Sequence, residues 1–196
     1  PSAIADPALG PDRRIALSYL PARDRPVIAA LWAIDAAMGD VLRSSTDDML
    51  GIIRLAWWRE RLEELDQGIV PSEPRLQAAA AHLFPRGVSG REVAGLEGGW
   101  RALFDEFPWT VATAEAISLP GRLLFGLAAT VLGERSDEIE HLGGAWALVD
   151  AARHCSDNAS RMAARIPTTI SVACAKRATR QERQSSLATG QGKYWT

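Results

Sequence analysis

Apolar residues recur at three- and four-residue intervals along most of this chain, and proline or glycine closes each run. The first property predicts helices with one buried face, and the second predicts where they stop. "RRIALSYL" runs into the turn "PARDRP". Pro26 then stands at a first helical position ahead of "VIAALWAIDAAMGDVLRSS", where Val27, Ala30, Leu31, Ile34, Met38, Val41 and Leu42 form one broad apolar face. "STDDMLGIIRLAWWRERLEELDQG" opens on Ser and Thr caps with two early aspartates and closes at Gly68. "EPRLQAAAAHLF" predicts a shorter helix ended by Pro85 and Gly87, and "SGREVAGLEGGWRALFDEF" a glycine-loosened one ended by Pro108. "WTVATAEAISL" and "GRLLFGLAATVLGE" read as one helix interrupted at Pro120 and Gly121, because proline removes a backbone donor. "SDEIEHLGGAWALVDAARHCSDNASRMAARI" starts at the cap Ser136 and stops before Pro167. No strand-like alternation, hairpin signal or solenoid repeat is present, so the expected class is all-α.

Three segments follow from this pass. Residues 1–11, with three prolines and a glycine, are expected to form a flexible arm, residues 12–167 a helical domain, and residues 168–196 a polar tail without an apolar stripe. The 47% apolar fraction supports a core, and a net charge of −2 gives no electrostatic footprint for nucleic acid. Cys155 and Cys174 form neither a disulfide framework nor a close ligand pair. No uninterrupted apolar run approaches the ~18 residues of a spanning helix, so the expectation is a protein without a transmembrane segment, in the cytoplasm or, in a eukaryote, the mitochondrial matrix.

The segment "IRLAWWRERLEEL" resembles the "RLxWWRxxL" helix of the squalene/phytoene synthase family. "LSYLPARDRPVIAALWAID" is similar to the family's "LLPxxxRxAxxALYAFCR", and "LEGGWRAL" to its "xxDGMxMD" segment. "LLFGLAATVLG" takes the place of its "YCxxVAGxVG" helix. "LGGAWALVDAARHCSDNASRMAARIP" follows the frame of "LGxAxQLTNILRDxxxDxxxGRxYLP" without a gap. The resemblance covers residues 15 to 167. It implies an isoprenoid (terpenoid) synthase-type helical bundle around a central cavity, here C-terminally shortened. In that family two aspartate-rich helices hold Mg²⁺, which grips the diphosphate of a prenyl substrate and promotes its ionisation. Magnesium takes hard oxygen ligands, and a departing diphosphate needs several cations close by.

Carried over residue by residue, the resemblance leaves few of those ligands. The first motif, "DDxxD", falls on Gly39, Asp40, Val41, Leu42 and Arg43; the aspartates of the second, "DxxxD", fall on His154 and Asn158. Imidazole suits softer metals, and a neutral amide leaves the ion's charge uncompensated. The chain therefore resembles the degenerate branch of the family, which includes the mitochondrial complex I assembly factor. The expected function is a non-catalytic prenyl-lipid-binding or assembly factor, with a prenyl diphosphate, another isoprenoid lipid or a protein as partner. Peripheral membrane contact and self-association follow if apolar surface is left uncovered. The alternative is an active prenyl transferase condensing two prenyl diphosphates, with Mg²⁺ as cofactor on Asp40, Asp150 and Asp157 and phosphate on Arg54, Arg59 or Arg153.

Helical spacing also places Asp150, His154, Asp157 and Asn158 on one face. The favoured reading is a hydrogen-bonded polar cluster in which His154 bridges to Asp150. Asp35 and Asp40 lie on the helix opposite, but five-residue spacing splits them around it. Adjacent Trp57 and Trp58 cannot face the same way, so one belongs to the core and the other to a seam or the surface. Arg54 and Arg59 also have acidic neighbours with which to pair on an exposed face. Two alanine-rich faces (Ala29, Ala30, Ala33, Ala36 and Ala37; Ala145, Ala147, Ala151 and Ala152) permit either close packing or a cavity between helices.

Overall fold

The computed structural model of the chain describes residues 9–106, 108–134 and 136–154. Every regular element among them is helical: α1 (Pro11–Tyr19), α2 (Arg25–Ser44), α3 (Asp48–Leu65), α4 (Pro74–His82), α5 (Gly90–Ala94), α6 (Glu97–Ala102), α7 (Val111–Leu132) and α8 (Asp137–His154), with a 3₁₀ turn at Phe84–Arg86 after α4. Leu9 is fully buried and α1 already begins at Pro11, so the end of the expected arm belongs to the packed body. Residues 1–8 and the tail 168–196 lie outside the described residues.

The centre of the bundle is α2, which packs against α1, α3, α4, α6 and α7. Its apolar residues wrap most of the helix, so Ile28, Leu31, Ile34 and Met38 are all at most 1% exposed. Burying a side chain of this size contributes about 1.5–3 kcal/mol. Both ends are fixed by polar contacts. At the N-terminus the buried Asp24 accepts from Arg86 Nη1 at 2.8 Å, and Arg86 Nη2 also donates to the Val131 carbonyl. The Arg86 hydrogen bond holds the Asp24 carboxyl below its ordinary range. At the C-terminus Ser45 Oγ donates back to the Val41 carbonyl at 2.6 Å.

The cap of α3 is Asp47, whose carboxylate accepts from the Leu50 amide at 3.1 Å, rather than the Ser and Thr expected from the sequence. Asp47 stands directly before the helix, where its short side chain reaches the open amides. Trp58 is buried at 7% exposure while Trp57 is 41% exposed, and the two rings meet edge-on at 5.2 Å. The glycine-loosened helix expected over residues 89–107 is two short ones. Ser89 and Glu92 form a capping box on α5, and α6 starts at Glu97.

The largest departure lies in α7, which is continuous through Pro120 rather than interrupted there. The proline ring is buried against α6 at Gly99, where a Cβ would lie 2.1 Å from the ring. Packing over the break compensates for the missing backbone donor. This is also the helix among the described residues that is long and apolar enough, by length and composition, to cross a membrane. Glu115 and Arg122 interrupt its apolar run, and Ala114, Ile117, Leu124, Leu127 and Val131 are buried in the bundle.

The partner of α7 is α8, its most extensive contact. At their crossing each of two glycines faces the other's backbone, with Ala147 and Phe125 side-chain carbons beside them. A Cβ on Gly121 would sit 2.2 Å from the Gly143 carbonyl oxygen, and a Cβ on Gly143 2.2 Å from the Gly121 carbonyl oxygen. At the start of α8, Ser136 takes the cap position and accepts from the Ile139 amide at 3.4 Å, while its hydroxyl donates to Glu138 at 2.5 Å and keeps that carboxyl below its usual range.

Candidate functional site

A cavity of about 680 Å³ opens between α1, α2, α6, α7 and α8. That volume falls within the roughly 300–1,000 Å³ of small-molecule sites. Its floor consists of small or apolar residues that are buried, among them Ala36, Gly39, Gly99, Gly121, Ile117 and Leu124. Glycine here makes room: a Cβ on Gly39 would come within 3.0 Å of the Trp100 ring. Trp32, Trp100, Phe125 and Trp146 form aromatic walls, and Phe125 and Trp146 stand 5.8 Å apart. The rim is charged, with Arg43, Arg153 and His154 reaching solvent.

Asp35 is the buried acid of this wall, at 3% exposure. One oxygen accepts from Arg13 Nη2 at 2.5 Å and the other from Trp100 Nε1 at 3.0 Å. Burying a carboxylate is costly unless charge and hydrogen bonding compensate it, and here both oxygens are engaged. Arg13 also donates from Nη1 to the Trp32 carbonyl at 3.1 Å. Its guanidinium lies 5.9 Å from the Trp32 ring centroid and 5.5 Å from that of Trp146.

The residues expected from the sequence divide into three groups. Asp35, Asp150, Arg153 and His154 all line the cavity. Asp40 does not: its half-exposed carboxylate forms a short ion pair with Arg43 of the rim. Arg54 and Arg59 do not line it either. Arg54 donates to Ser44 Oγ at 3.1 Å, joining α3 to the end of α2, and the acidic pairing nearby is made by Arg61 with Glu64 at 2.6 Å. Asp157 and Asn158 lie outside the described residues. His154 Nδ1 is 2.9 Å from the Asp150 carbonyl oxygen and 3.8 Å from its carboxylate, so the bridge from His154 runs to backbone.

Arg13 is the site residue that sequence reasoning missed. It contacts a residue 22 positions away, and nothing in "PDRRIALSYL" separates it from the exposed Arg14. Among the described residues no three His, Cys, Asp or Glu side chains come together in a way that could hold a metal ion. Both alanine-rich faces meet at the cavity, through Ala36 on α2 and Ala147 and Ala151 on α8. Comparison of the chain with protein-family profiles, curated proteins and solved structures gives no match.

Proposed function

We propose that this chain is a squalene/phytoene synthase-like domain of isoprenoid synthase type that holds a prenyl lipid or prenyl diphosphate without transforming it. The observation that carries the reading is the state of Asp35. It is the buried carboxylate that α2 turns to the cavity, and Arg13 and Trp100 use both of its oxygens. A magnesium site for diphosphate needs several free carboxylate oxygens around one point. Asp40 does not line the cavity and is paired with Arg43 at its rim, and Asp150 stands on the other side of the cavity. The apolar floor and aromatic walls suit a hydrocarbon chain, and Arg153 with His154 at the rim supplies charge-assisted donors for an anionic head.

Calorimetric titration of farnesyl diphosphate with and without Mg²⁺ tests this. The expected outcome is binding of the same affinity in both conditions, with no release of diphosphate. Binding that requires Mg²⁺ and yields a coupled prenyl product would overturn it in favour of the transferase, with Asp40, Asp150 and Asp157 as ligands. Absence of binding would also overturn it and leave assembly with a protein partner.

A further inference from the structure

One wall of the cavity is only lightly attached. Within α1, Leu17 alone is buried, and the outer residues Ile15 and Tyr19 are 59% and 85% exposed. Leu9 and Leu17 pin the segment at two apolar points, and between them Gly10, Asp12, Arg13 and Ala16 line the cavity. At its C-terminal end Arg25 of α2 donates to the Ser18 and Leu20 carbonyls at 3.0 Å and 2.8 Å, and the polar connection on the cavity side is Arg13. A carboxylate, a carbonyl and two indole rings surround its guanidinium, at 2.5 Å, 3.1 Å, 5.9 Å and 5.5 Å. That set is a receptor for a planar cation: oxygen acceptors pair with its N–H groups, and indole faces attract its charge.

We propose that Asp35, the Trp32 carbonyl, Trp32 and Trp146 form a guanidinium site of the core, that Arg13 is its internal ligand, and that this contact latches α1 as a lid over the cavity. Every part of the receptor lies on α2 or α8, and Trp100 of α6 orients Asp35 independently of α1. The site therefore keeps its shape when Arg13 leaves. With α1 lifted, it takes a guanidinium or alkylammonium group from another molecule, whatever fills the apolar floor.

Chemical rescue tests the proposal without any prenyl ligand. Arg13→Ala removes the atoms that ethylguanidinium supplies, and ethylurea is its neutral counterpart. The variant is expected to lower Tm by about 5 °C. Amide exchange should accelerate roughly tenfold or more in α1 while α2 stays protected. Millimolar ethylguanidinium should raise the Tm of Arg13→Ala but not of the unmodified chain, and ethylurea should raise neither. Adding Asp35→Asn should abolish the rescue, and adding Trp146→Leu, at a half-exposed position, should weaken it several-fold if the Asp35 variant does not fold. Equal rescue by ethylurea, or rescue that survives both second changes, would overturn the cation site. Faster exchange spread evenly over all helices would overturn the lid.

Discussion

In α2, Ala29, Ala30, Ala33 and Ala37 are each no more than 3% exposed, held among five neighbouring helices. In α8, Ala147 and Ala151 are only half-buried and border the cavity, and the principal neighbour is α7. At these positions the residue type is the same and the consequence is opposite, while Ala36 of α2 borders the cavity and Ala145 of α8 is buried. A small side chain lets helices close up when neighbours approach from several sides, and leaves a void when one neighbour is already fixed at another point. For α8 that point is the Gly121–Gly143 crossing, where backbone meets backbone and the Ala147 Cβ closes on Gly121 from the side. Small residues thus permit proximity, and the surrounding contacts decide whether it happens.

The largest effect that would break this contrast lies at the crossing. Gly143→Val places side-chain atoms on the Gly121 carbonyl and should cost about 3 kcal/mol or more, read from urea unfolding. A matched pair sharpens the comparison at intermediate size. Ala30→Leu in α2 should cost about 2 kcal/mol through overpacking. Ala151→Leu in α8 should change stability by no more than about 0.5 kcal/mol, yet weaken farnesyl diphosphate binding by roughly tenfold by filling the cavity. Equal destabilisation by the two leucines would remove the contrast.

The smallest effect concerns the anchoring of α2. The folded-state pKa of Asp24 is depressed from its ordinary 3.8, so its pairing with Arg86 stabilises the fold above that pH and is lost as pH falls through the lower folded value. Arg86→Gln should therefore destabilise the protein at neutral pH, and the gap to the unmodified chain should shrink below pH 3.8 in acid-unfolding curves. A gap that stays constant with pH would assign the Arg86 effect to its Val131 contact.

What could be read from the residues was local. The class, the breakers at Gly68 and Gly87, the cap at Ser136 and the split roles of Trp57 and Trp58 all depend on neighbours within a few positions. The departures depend on contacts between distant segments. Pro120 fails to interrupt α7 because Gly99, from another helix, receives its ring. Spacing splits Asp35 from Asp40 without saying which faces the cavity, and the engagement of Asp35 by Arg13 and Trp100 spans 22 and 65 residues. No window along "VIAALWAIDAAMGD" contains that information.

The Gly121–Gly143 crossing also bears on how this protein can vary. A contact made of side chains can be rewritten, because a larger residue on one helix is accommodated by a smaller one opposite. Here the nearest opposing atoms are carbonyl oxygens, which no substitution makes smaller, with side-chain carbons of Ala147 and Phe125 beside them. In a library varying both positions together, no pair of residues other than glycine should restore what a single replacement loses, so these two sites are expected to be the least tolerant of change in the α7–α8 pair.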